Sequence, residues 1–194
     1  MAQHAEELAH SQADPVARVA SDLRTNLPQF LFLARAPASD RSRLPYNPPT
    51  DALRSEVKAA IHERAVQDIA RQLFAFPTPR HSDYKTYSNH PQRSMGVQMA
   101  NGSVAYPDIV VVQHPENYTK ILAEVETSET VTEDVGRYEW LPYAHLAPLY
   151  LYVPVGCAQA AKRICKKLKI PIVGLRTWRY VLGYEELEVT PIST

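Results

Sequence analysis

The sequence predicts an α/β fold, a mixed β-sheet core flanked by helices. Three observations lead there. Apolar, β-branched runs at Ile109–Val112 and Ile121–Val125 flank a turn-forming His-Pro-Glu-Asn segment, as expected of two antiparallel strands joined by a short loop. A helical apolar period spans residues 51–74. Beyond Thr127 the pattern alternates between helical and strand periods, which suits a sheet with helices laid across it.

Residues 1–13 are polar and Ala-rich. Asp14-Pro15 has the form of an N-cap followed by a first helical residue, and Val16, Val19, Leu23 and Leu27 continue at helical spacing until Pro28. Gln29 to Ala34 reads as a strand or extended arm, and the Pro-rich stretch 35–50 as a linker. The expected division is therefore an N-terminal helix, arm and linker over 1–50 and an α/β domain over 51–194. The N-terminal piece would pack on that domain or on a second subunit, so a homodimer is compatible with it.

Thr50 is the expected N-cap of a long helix from Asp51 to Phe74. Leu53, Val57 and Ile61 share one face; Val66, Ile69 and Leu73 share another. Glu63 falls on the side of Val66, Ala70 and Phe74, with Glu56 two turns earlier. From Pro77 to Gln98 the chain is polar, with His81, Tyr84, Lys85, Tyr87, His90 and Arg93 interleaved, and is read as a loop of a kind that can also meet nucleic acid. Asn101-Gly102 is a hairpin signal, predicted to join a strand near 96–100 to the strand carrying Asp108 in a three-stranded meander.

Asp108, Glu124 and Glu126 interrupt the two apolar runs. Alternation puts Glu124 and Glu126 on one face, and a loop centred near Glu116 sets position 108 opposite 124. Cross-strand Cβ atoms lie about 4.5–5.5 Å apart, where like charges destabilise a sheet. A hard divalent cation held between the carboxylates would remove that repulsion, and oxygen ligands favour Mg²⁺ or Mn²⁺ over zinc. A solvent-facing carboxylate or a shifted register is the plainer alternative.

A helix is expected from Glu129 to His145, bent before Pro142, with Trp140 and Tyr143 packing in the core. Leu149–Val153 reads as a buried strand and Cys157–Leu168 as a helix with Lys162, Arg163, Lys166, Lys167 and Lys169 on its polar face. Ile170–Leu175 is a further expected strand, and Trp178–Val189 a last strand or hairpin edged by Gly183.

Composition narrows the function. The 194 residues balance 21 Lys and Arg against 21 Asp and Glu, so no global basic field draws the chain to nucleic acid, and any DNA contact must be local. No apolar leader and no run of membrane-spanning length is present, which predicts a cytoplasmic protein without a membrane partner. The two Cys fit neither a zinc pair nor a disulfide framework. Walker A, Gly-x-Gly-x-x-Gly and Gly-x-Ser-x-Gly sequences are absent, which removes the common nucleotide and serine-hydrolase readings.

Pro107-Asp108, followed by Glu124-Val125-Glu126, resembles the signature of the PD-(D/E)XK, or restriction-endonuclease-like, nuclease superfamily. The likeness runs over roughly residues 51–175 by order of elements. It implies a restriction-endonuclease-like fold and a metal-dependent phosphodiesterase acting on DNA. Asp108, Glu124, the Val125 carbonyl and Glu63 would hold the metal. The helix around Glu63-Arg64 is similar to that of archaeal Holliday-junction resolvases, which suggests branched DNA. The departure is Glu126, where the superfamily usually has Lys; a minority of its restriction enzymes carry Glu there. The likeness thus assigns catalysis to Asp108, Glu124, Glu126 and Glu63, with Glu126 as the water's proton acceptor. Its alternative is a nuclease-fold module that has lost catalysis and serves binding or assembly. Glu139-x-x-x-Tyr143 stands where one branch has Gln-x-x-x-Tyr.

Overall fold

A computed structural model describes residues 50–181 and 185–193. The helix, arm and linker expected over residues 1–49 lie outside the described residues.

Helix α1 spans Asp51–Leu73, and Thr50 caps it by accepting the Leu53 N–H on its hydroxyl at 3.3 Å. Its C-terminal half supplies the buried side: Ala65, Val66, Ile69 and Ala70. The first half leaves Leu53, Val57 and Ile61 about half exposed.

The main sheet has six strands in the order β1 (Tyr84–Ser88), β4 (Ile109–Gln113), β5 (Tyr118–Val125), β6 (Leu149–Pro154), β7 (Ile172–Tyr180) and β8 (Leu187–Ile192). The β5–β6 and β6–β7 pairs are parallel; the other three are antiparallel. The sheet is buried on both faces. Ile109, Val111, Ala123 and Val125 pack with α1 against Tyr152 and Trp178. Val110, Val112 and Leu122 pack on the other side with Trp140, Tyr143, Ala161 and Cys165. An uninterrupted apolar run such as Ile109–Val112 is what two-sided burial requires.

Two expectations are corrected here. The stretch Pro77–Gln98 is not loop throughout, because Tyr-Lys-Thr-Tyr-Ser forms β1 and pairs antiparallel with β4. Tyr and Thr are good strand formers, and the edge position tolerates Lys85. The Asn101-Gly102 hairpin does exist, with Gly102 at φ +83°, but its strands β2 (Val97–Gln98) and β3 (Val104–Ala105) form a separate two-stranded sheet. Pro107, between β3 and β4, has no N–H to continue a ladder, so the meander neighbour of β4 is β1 instead.

The helix expected from Glu129 begins later and changes pitch. Thr132 caps α2 (Glu133–Val135), Gly136–Trp140 is wound as a π-helix, and α3 (Leu141–Leu146) completes the run. Pro142 lacks the N–H that a regular turn would donate, and the wider π turn lies immediately before it. Gly136 sits so close to its neighbours that a Cβ there would stand 2.5 Å from Ile164 Cγ2. Ile164 belongs to α4 (Ala158–Leu168), whose Ala161 and Cys165 are buried. Its polar face is partly engaged: Lys167 pairs with Glu133 at 2.7 Å and Lys162 donates to the Ser193 carbonyl. Strand β7 runs through both of the last two expected strands as far as Tyr180.

Candidate functional site

The acids lie where β4 begins and β5 ends. Ile109 pairs with Ala123, Val110 with Leu122 and Val111 with Ile121, so one further step sets Asp108 level with Glu124. The two residues are locked reciprocally. The Asp108 N–H donates to Glu124 Oε1 at 3.2 Å, and the Val125 N–H donates to Asp108 Oδ2 at 2.8 Å. Asp108, Glu124 and Glu126 are all buried.

Two histidines close on Asp108 from other elements. His90 Nε2 donates to Oδ1 at 2.7 Å. His62, on α1, points Nε2 at the Val125 carbonyl oxygen at 2.6 Å and stands 3.5 Å from Asp108 Oδ2. Their rings meet edge to face with centroids 4.8 Å apart. His90 is held by its neighbour Asn89, whose buried amide donates to the Met95 and Pro107 carbonyls and accepts from the Ser94 and Met95 N–H groups. These bonds tie the loop after β1 to the start of β4.

Glu126 turns toward the helical run, where Trp140 Nε1 donates to its Oε1 at 2.5 Å. Trp178 Nε1 donates to the Glu126 carbonyl at 3.1 Å. The resulting cleft, of about 340 Å³, is lined by Asp108, Glu124, Glu126, Glu129 and Glu139, with Lys58 and His62 as its basic residues. Lys58 on α1 is paired with Glu129 across the opening.

Crowding of the acids governs their protonation. Burial, then the charges of Asp108, Glu126 and Glu139, drive the Glu124 carboxyl well above its ordinary range. Burial raises Glu126 to about 7, against hydrogen bonds from Thr130 and Trp140 that pull it down. Glu139 is raised by burial and by Asp108. Asp108 goes the other way: burial pushes it up, but the hydrogen bonds from His62 and His90 outweigh burial and hold it below the usual carboxylate range. His62 is raised, since the hydrogen bond and charge of Asp108 overcome the effect of burial.

Of the residues expected at the site, Asp108, Glu124, Val125 and Glu126 converge on this cleft, while Glu63 does not line it. The α1 residue that does is the adjacent His62. Spacing carried that signal, for His62 lies three, four and seven residues before the buried Ala65, Val66 and Ile69. Glu139 could be placed by its neighbour Trp140. His90 had no such signal, because its approach to Asp108 depends on β1 being a strand. No protein-family model matches the chain, and comparison with curated proteins and with solved structures finds no significant match.

Proposed function

We propose that the chain is a metal-dependent phosphodiesterase acting on DNA, on a restriction-endonuclease-like core. The carrying observation is the reciprocal lock of Asp108 and Glu124, which keeps two buried carboxylates side by side with a backbone carbonyl, that of Val125, within the same pocket. The element order supports the fold: a helix, three antiparallel strands, a helical run and a strand parallel to the third.

The donor set suits a hard divalent cation. Asp108, Glu124 and the Val125 carbonyl would hold Mg²⁺ or Mn²⁺, and Glu124, raised by burial and then by its acidic neighbours, gains from the added positive charge. When bound, such an ion polarises a phosphate oxygen and lowers the pKa of a coordinated water. The remaining work falls to side chains. Glu126, titrating at about 7 and steered by Trp140, is suited to accept the water's proton near neutral pH. Lys58, once released from Glu129, supplies a cation at the mouth of an otherwise acidic cleft, where the DNA backbone must enter.

The second reading is a nuclease-fold module without catalysis, used for binding or assembly. The pairing of Lys58 with Glu129 favours it, since that leaves no unpaired lysine among the residues lining the cleft. Cleavage assays on linear, flapped and four-way DNA with Mg²⁺ and Mn²⁺ decide between them. Metal-dependent cutting by the wild type, lost in Asp108→Asn, is the expected result. Binding of Mn²⁺ without cutting of any substrate would transfer the conclusion to the module.

A further inference from the structure

Two histidines that contact Asp108 lie outside the proposed oxygen ligand set, and each becomes a nitrogen ligand beside that carboxylate once its Asp108-facing nitrogen gives up its proton. His62 and His90 reach different oxygens of the Asp108 carboxylate, one from α1 and one from the loop after β1. One ligand atom of each of the three residues lies within 4.8 Å of the other two. In a tetrahedral zinc site, with each ligand roughly 2.0–2.1 Å from the metal, donor atoms stand about 3.3 Å apart. The three donors must therefore close by up to about 1.5 Å to share one centre. The loop that must hold His90 is already fixed by the four hydrogen bonds of the Asn89 amide.

If the histidines served only to neutralise Asp108, one would suffice for one carboxylate. The two imidazoles meet edge to face with centroids 4.8 Å apart, and a nitrogen of each lies within 4.8 Å of the other and of an Asp108 oxygen. Imidazole suits Fe²⁺, Co²⁺, Ni²⁺ and Zn²⁺, whereas Mg²⁺ takes oxygen. Two donor sets thus meet at Asp108, one of oxygens lining the cleft and one dominated by nitrogen, from His62 and His90.

We infer that His62, His90 and Asp108 form a two-imidazole, one-carboxylate site for a borderline transition ion of the Co²⁺ or Zn²⁺ type, distinct from the oxygen site and sharing Asp108 with it. The site concerns binding, and it stands whether or not the cleft cuts DNA. Its consequence is that the metal with highest affinity for this protein is not Mg²⁺.

The test is calorimetric and spectroscopic, on the untagged full-length chain titrated separately with Co²⁺, Zn²⁺ and Mg²⁺. Co²⁺ also reports its ligands through visible absorption bands. The wild type should bind Co²⁺ and Zn²⁺ more tightly than Mg²⁺, with a visible spectrum typical of nitrogen ligation. His90→Ala and the more conservative His90→Gln should each weaken Co²⁺ binding by at least about ten-fold and change that spectrum, with Mg²⁺ affinity kept. The glutamine variant retains a donor toward Asp108, so it guards against a loop that fails to form. Glu124→Gln should do the reverse, weakening Mg²⁺ and sparing Co²⁺. If both His90 variants bind Co²⁺ as the wild type does, or if Glu124→Gln abolishes Co²⁺ binding as well, the ion sits among the oxygens and the inference falls. The nuclease reading would survive that result, and the inference would survive a protein inert toward DNA.

Discussion

At the scale of single residues the proposed chemistry turns on Glu126. The nuclease pattern that the sequence resembles has a lysine at this place, and the surroundings of Glu126 explain how an acid can occupy it. Burial brings it to about 7, and Trp140 fixes one oxygen. If the cleft is the proposed nuclease site, Glu126→Gln is expected to keep the fold and most metal affinity while lowering cleavage by about 10²–10⁴-fold, because an amide cannot accept the water's proton. Single-turnover cleavage rates check this, and equal rates for the two proteins would make Glu126 a bystander. The spacing of Asp108 and Glu124 was legible beforehand, because turn formers near Glu116 fixed the centre of the hairpin. The bulge at Val111 and Val112, which shifts the rest of the pairing, was not. Nor was His90, whose approach to Asp108 depends on β1 being a strand, whereas the spacing of His62 from the buried side of α1 was there to read although its neighbour Glu63 was the residue expected at the site.

Among the elements, the helical run between β5 and β6 is the most constrained. Its π turn carries Glu139, which lines the cleft, and Trp140, which steers Glu126. Gly136 opens that turn against α4, with Ile164 Cγ2 at 2.5 Å and Leu168 Cδ1 at 3.2 Å from where a Cβ would stand. Gly136→Ala therefore forces α4 or the π turn to move. The expected cost is about 1–3 kcal/mol, read as a lower urea midpoint at unchanged slope. Helix periodicity and caps made α1 and α4 readable to within a residue or two. Pitch was not readable, since the same apolar spacing fits a run with or without a π turn. β1 was hidden for a different reason: an edge strand of Tyr, Lys, Thr, Tyr and Ser has the composition of a loop, and only its partner β4 makes it a strand.

For the molecule as a whole, the buried acids make stability depend on pH in an unusual direction. Glu124 and Glu126 hold protons more tightly folded than unfolded, so between about 4.5 and 7 the folded state carries more of them. Raising the pH through that window removes the benefit; lowering it restores it. His62, also raised, adds a contribution present below its ordinary value of 6.5 and lost above its folded one. Asp108 opposes both only at lower pH, where falling pH protonates it and its histidine contacts are lost. In chelator, the melting temperature should therefore be higher near pH 5.5 than near pH 8. Saturating Mn²⁺ should raise it most at pH 8, by an amount corresponding to about 2.7 kcal/mol at a hundred-fold excess over Kd. Melting curves at the two pH values test it, and a protein more stable at pH 8 in chelator would contradict this picture of the cleft. The two-layered burial of the sheet was foreseeable from the unbroken apolar runs. Among the described residues no helix is long and apolar enough to cross a membrane.

The strand order has a consequence for how the chain reaches this state. Apart from the hairpin of Val97–Gln98 and Val104–Ala105, every neighbouring pair in the large sheet is also consecutive along the chain. The sheet can thus grow one strand at a time in chain order, with short loops closing the β4–β5 and β7–β8 pairs and longer, partly helical connections closing the rest. Asp108 and Glu124 are brought level by the β4–β5 pairing alone, with no part played by β6, β7 or β8. Their repulsion then burdens an early step, and a divalent cation should quicken refolding as well as slow unfolding, which stopped-flow traces with and without Mn²⁺ would separate.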